Sequence, residues 1–183
     1  NVAAIQLLKQ IESEGRKATA DEQKVLVKYT GWGGLPQAFS YWPEADWKTE
    51  VEELKNLLTD EEYETARAST PNAHYTSPEV VKGIWKGLQK LGFKGGRICE
   101  PSGGTGMFFG LMPDEIADNS TLSMVELDSI TGRIASQLYQ GADVRIKGYE
   151  QTKFPDNYFD LHISNVPFGD YKVYDPDLRN VNF

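Results

Sequence analysis

The chain has 183 residues, room for one domain with an extension, and 39% of them are apolar, enough for a packed core. No apolar run nears the ~20 residues of a membrane span, the start Asn1-Val-Ala-Ala-Ile5 is no secretory signal, and two histidines with the single Cys99 exclude a disulfide framework and a zinc site of the usual spacing. The formal net charge of −8 argues against this segment alone gripping nucleic acid, because phosphate contacts need clustered Lys and Arg. A lone cysteine fits the cytoplasm, and the missing initiating Met points to an excised piece of a longer chain.

Residues 4–14 place Ile5, Leu8 and Ile11 on one helical face, with Gly15 as a stop. Thr19 with Glu22 forms a capping box, so a second helix is predicted over residues 20–29. Gly31-Trp-Gly-Gly-Leu-Pro36 reads as a loop. The aromatic stretch Phe39, Tyr41, Trp42 and Trp47 is expected to pin that loop onto a core; base stacking is the other use for such rings. Helices are predicted over 46–58 and, behind a second capping box at Thr59 and Glu62, over 60–68. Residues 1–71 thus read as an N-terminal helical extension.

From Asn72 the pattern changes. Ser77-Pro78 starts a helix whose stripe is Val80, Val81, Ile84, Trp85, Leu88 and Leu91, and Gly92 ends it. Strands are predicted at 97–100, 122–126, 144–146 and 159–164, with helices near 107–111 and over 129–139. Strands alternating with helices imply an α/β unit with a parallel, doubly wound sheet over 72–183, of which only part would be present here.

The turn Pro101-Ser-Gly-Gly-Thr-Gly106 follows the first strand of this unit, where open parallel sheets take nucleotide-like ligands. It lacks the Gly-Lys-Ser/Thr ending of a phosphate loop and the spacing of the dinucleotide fingerprint. Glu100, just before it, repels phosphate and suits an ammonium or a hydroxyl, which favours S-adenosylmethionine over NAD. The turn by itself is equally an ordinary tight connection. Glu126, at the end of the second strand, can accept hydrogen bonds from both ribose hydroxyls; a solvated strand end or a helix cap is its other reading, and Asp128 competes for the cap. Asn165-Val-Pro-Phe168 ends the fourth strand. An Asn oxygen and the next backbone carbonyl can hold an exocyclic amine, and Phe168 can stack on its base; alone, the tetrapeptide is also just a turn.

Together these elements resemble the amino-group DNA methyltransferases of the N6-adenine class found in restriction systems. His74-Tyr-Thr-Ser-Pro78 resembles the element that contacts the methionine part of the cofactor. Residues 98–106 resemble the first cofactor motif, Val125-Glu-Leu-Asp128 the ribose motif, and Asn165-Val-Pro-Phe168 the catalytic Asn-Pro-Pro-Tyr/Phe. The resemblance implies a Rossmann-like S-adenosylmethionine-dependent methyltransferase fold with a partial parallel sheet. It implies cofactor contacts from Tyr75, Thr76, Glu100, Pro101, Gly103, Gly104, Gly106, Glu126 and Leu127, with Glu150 on the adenine amine and Tyr149 beside the ring. Asn165, Val166, Pro167 and Phe168 would meet the target base, and no metal is implied. The departure is Val166, where the family has proline. Its carbonyl survives and its place before Pro167 keeps it extended, but the fixed φ of proline is gone.

The stretch from Gln23 to Gly34 resembles large methylase–helicase proteins of plasmids, phages and conjugative elements. That implies a helicase region in the same chain and DNA gripped mainly outside this segment. Three other readings keep the fold and change the role: a catalytically silent cofactor- or DNA-binding module, a methyltransferase acting on protein glutamine, and an α/β domain whose site has decayed.

Overall fold

The computed structural model describes residues 1–71 and 76–166. Four helices lead the chain: α1 Val2–Ser13, α2 Ala20–Leu26, α3 Lys48–Leu57 and α4 Asp60–Ser69. Both predicted capping boxes form, each closed in both directions between the threonine and the glutamate three residues on. Helix α1 turns its predicted face inward, burying Ile5, Leu8 and Ile11 completely, and α2 stops at Leu26, before the expected Tyr29.

The aromatic loop divides in two. Tyr29, Trp32, Phe39 and Tyr63 form a chain of edge-on ring contacts, with centroids 5.1 to 6.4 Å apart. Trp32 and Phe39 pin the loop to the core as expected, and Trp47 packs against it. Tyr41 and Trp42 do not: Trp42 is 91% exposed. A 3-10 turn over Pro36–Phe39 points Phe39 inward, and the chain then bends away at Ser40, leaving the next two rings outside.

The rest is α/β. Helix α5 Pro78–Lys90 starts on the Ser77 cap, with the Ser77 hydroxyl accepting the Val80 N–H. Strand β1 Gly96–Glu100 follows, then short helices α6 Met107–Gly110 and α7 Asp114–Ala117. Strand β2 Ser120–Glu126, helix α8 Ser129–Leu138, strand β3 Asp143–Ile146 and the two-residue strand β4 Leu161–His162 complete the described residues. All pairings are parallel and the order is β3-β2-β1-β4. That order, reversing between β1 and β4, is the Rossmann-like arrangement, and it opens a ligand crevice at the carboxyl ends of the strands.

The two sheet faces differ. One carries Ile98, Met124 and Ile163 against Val81 and Trp85 of α5, Phe108 and Phe109 of α6, and Ala135 of α8. The register places Arg97, Cys99, His162, Ser123, Val125 and Arg145 on the other. Between β3 and β4 there is no α-helix, only a 3-10 turn over Tyr149–Gln151. Instead an aromatic segment crosses the second face. Phe154 stacks under the Arg145 guanidinium at 4.0 Å and Tyr158 under that of Arg97 at 4.7 Å. The expected stripe of α5 is narrower than its periodicity implied: Val81 and Trp85 are buried, whereas Val80, Ile84 and Leu91 are exposed.

The N-terminal helices do not stand apart. Ile130 and Ile134 of α8 are fully buried in the same cluster as Ile5, Leu8, Leu26 and Ala66. An ionic junction lies beside it. Glu62 of α4 accepts Lys9 of α1 at 2.7 Å and Arg133 of α8, and Arg133 also grips Glu12 at 2.6 Å. Burial works to raise the Glu62 pKa, but Lys9, Arg133 and the Thr59 N–H outweigh it and hold the carboxyl at about 2.

Candidate cofactor and active site

The glycine turn between β1 and α6 is anchored at three places. The Gly103 N–H donates to the Val125 carbonyl at the end of β2, 2.9 Å away. The Tyr139 hydroxyl, just past α8, donates to the Gly106 carbonyl at 2.6 Å. The Ser164 hydroxyl, just past β4, donates to the Ser102 carbonyl at 3.3 Å. Side chains are excluded where the turn packs: a Cβ on Gly103 would run into the Met124 side chain. One on Gly106, whose φ is +76°, would meet the Tyr139 ring.

Glu100 sits at the root of this turn and is 2% exposed. Its Oε2 is buried with no hydrogen-bond partner in the structure. Burial raises its pKa well above the carboxylate range. The Phe108 N–H opposes the rise and the nearby Glu126 adds to it. A buried carboxyl with an orphaned oxygen is matched by a cation or a hydrogen-bond donor. That acceptor fits the ammonium of an amino-acid ligand.

Glu126 was expected to be left open by Asp128. Asp128 does cap α8, its carboxylate accepting the Thr131 N–H at 2.7 Å. Yet Glu126 is also tied down. Its Oε2 accepts the Gly104 N–H at 2.7 Å and its Oε1 the Asp128 N–H at 2.8 Å. Burial raises its pKa and these N–H groups oppose the rise. Each oxygen keeps a second lone pair, so the carboxylate is oriented by the backbone and can still accept from two hydroxyls.

The structure thus brings Glu100, Pro101, Gly103, Gly104, Gly106, Glu126 and Leu127 to the carboxyl ends of two adjacent strands. The Ser164–Ser102 bond delivers Asn165 and the half-exposed Val166 beside the same turn. Thr76 lies half-buried ahead of α5. Tyr75, Pro167 and Phe168 lie outside the described residues. Tyr149 and Glu150 follow β3 in a 3-10 turn. The Tyr149 hydroxyl pairs with Nε2 of His162, 3.0 Å away on the second face. The Glu150 carboxylate folds back over Gly148 and takes the Gln151 amide at 3.1 Å.

A cleft of about 680 Å³ opens one residue past Glu126. Leu127, Ile146 and Gly148 line its sheet side, and Glu61, Thr65 and Ala68 of α4 line the other. Neither Tyr149 nor Glu150 lines it. Nothing in the sequence marked α4 as part of a site, since its packing against α8 is tertiary.

No family model matches the chain. Among curated proteins it is similar to the defense against restriction protein B of Escherichia phage P1, with 28% identity over 171 residues. The match takes in 92% of this chain and spans 6% of the length of that relative. Among solved structures it is similar to a Listeria monocytogenes protein described as a class I S-adenosylmethionine-dependent methyltransferase. The identity is 14% and the TM-score 0.47, over 98% of this chain and 62% of that one. Among the described residues, no helix is long and apolar enough to cross a membrane.

Proposed function

We propose that this chain binds S-adenosylmethionine and transfers its methyl group to the N6 amine of adenine in DNA, within a larger methylase–helicase protein acting in the cytoplasm. The observation that carries the reading is Glu100: a buried carboxyl with an orphaned oxygen at the root of a glycine turn, next to an oriented Glu126. In this reading residues 72–183 form the catalytic part and residues 1–71 its helical extension. The phage relative, named for defence against restriction, is consistent with DNA as the substrate.

Glu100 would hold the ammonium of the methionine part, with Thr76 and Tyr75 nearby, and Glu126 the ribose hydroxyls. The Gly104 N–H, bonded to Glu126, fixes the turn beside that carboxylate. The bound cofactor would supply an electrophilic methyl group on a sulfonium whose sulfur is the leaving group, and the methylated amine would lose its proton to water. Asn165 and the Val166 carbonyl would accept the two N–H bonds of the target amine, aiming its lone pair at the methyl. Phe168 would stack on a base flipped from the helix.

Transfer of tritiated methyl to mixed-sequence DNA, measured with the full-length protein, tests the reading. Active wild type and an Asn165→Ala variant that binds cofactor but transfers nothing are expected. A wild type that binds cofactor and never methylates DNA would sink the enzymatic claim. It would favour a binding module instead, the reading to which Val166 and the net charge of −8 lend weight.

A further inference from the structure

We propose that helix α4 of the N-terminal extension is the outer wall of the nucleoside pocket, so that the purine of the cofactor lies between Leu127 and Ile146 on one side and Thr65 and Ala68 on the other. This rests on the methyl-donor reading of the site.

The argument begins with exposure. Leu127 is 69% and Ile146 38% exposed. They stand at the carboxyl ends of β2 and β3, where Glu126 pairs with Ile146 in the register. Two large apolar side chains left open at the mouth of a parallel sheet are suited to a flat, apolar ring face. A sugar held by Glu126 would carry its base toward the next residue, Leu127. The cleft of about 680 Å³ begins at that point, a volume in the range of small-ligand pockets.

The far wall comes from α4, whose two faces are distinct. Glu62, Tyr63 and Ala66 are buried in the helical core. Glu61, Glu64, Thr65, Arg67 and Ala68 form the face that lines the cleft. The wall is held in place because Glu62 is locked to Lys9 and Arg133. Thr65 and Glu61 offer hydrogen-bond acceptors to a purine amine.

Titration calorimetry with S-adenosylhomocysteine on the full chain tests this. Ala68 is exposed, so Ala68→Trp fills the cleft without entering the core. It is expected to weaken binding at least tenfold with an unchanged melting temperature. Lys55→Trp, on the exposed side of α3, leaves affinity unchanged. Adenosine, which lacks the methionine part, should lose the same factor against Ala68→Trp, because the wall acts on the base. Ala68→Trp binding like wild type overturns the wall while leaving the cofactor site standing, and so does a loss confined to S-adenosylhomocysteine. Failure of wild type to bind S-adenosylhomocysteine overturns the reading beneath it and the wall together.

Discussion

Glu100 sets stability against function at a single residue. Its folded pKa lies above its unfolded one, so the native state keeps a proton that the unfolded chain has released. Stability is therefore lost as pH rises from the unfolded value, near 4.3, through the folded one. Glu100→Gln removes that penalty: it should melt higher than wild type at pH 8 and bind no S-adenosylmethionine. Wild-type affinity should fall as pH falls, since the ammonium pairs with the ionised carboxyl and the proton must first leave. Calorimetry across pH 5 to 8 reads both effects, and a flat affinity profile would contradict the pairing. Cys99 behaves as a core residue: burial, and then the charge of Glu100, push its thiol up to about 12. A thiol reagent at pH 8 should label it only after denaturation.

At the scale of elements, the junction of α1, α4 and α8 is where pH acts on the fold. The Glu62 pKa is depressed to about 2, so its contribution is complete above the unfolded value and disappears as pH falls from about 4.5 toward 2. Glu62→Gln should cost roughly 3 kcal/mol at pH 7 in urea unfolding and almost nothing near pH 2. The sequence announced half of this residue's work. Thr59-x-x-Glu62 reads as a capping box because capping is local, and the box forms. That the same carboxylate also receives Lys9 and Arg133, 53 and 71 residues away, has no local signature. The site divides the same way. Glu100, the glycine turn and Glu126 are legible because each lies at a strand end that its own alternation predicts. The α4 wall, the fold-back of Glu150 and the exposed Val80, Ile84 and Leu91 depend on which element packs where, which periodicity along one element does not encode.

For the whole molecule, α8 joins the helical extension to the sheet: its Ile130 and Ile134 lie in the core of the extension, and its Ala135 in that of the sheet. A chain lacking residues 1–71 would expose both isoleucine side chains, at about 1.5 to 3 kcal/mol each, together with the unpaired Arg133. Such a chain should lack a cooperative melt and bind a hydrophobic dye, whereas residues 1–183 melt as one transition. Two separate transitions in the intact chain would show that α8 does not couple the two.

The reach of that ionic junction also bears on synthesis. Glu12 and Arg133 are partners across 121 residues. At ~5–20 residues per second, α1 waits roughly 6 to 24 s for α8 to leave the ribosome. Ile5, Leu8 and Ile11 lack their α8 partners throughout that interval. A nascent chain stalled before Ser129 should leave α1 open to protease and to chaperone capture; one stalled after Leu138 has cleared the ribosome should protect it. The contact that welds α1 to α8 is thus also a delay, and for those seconds α1 depends on the cell to keep it from other partners.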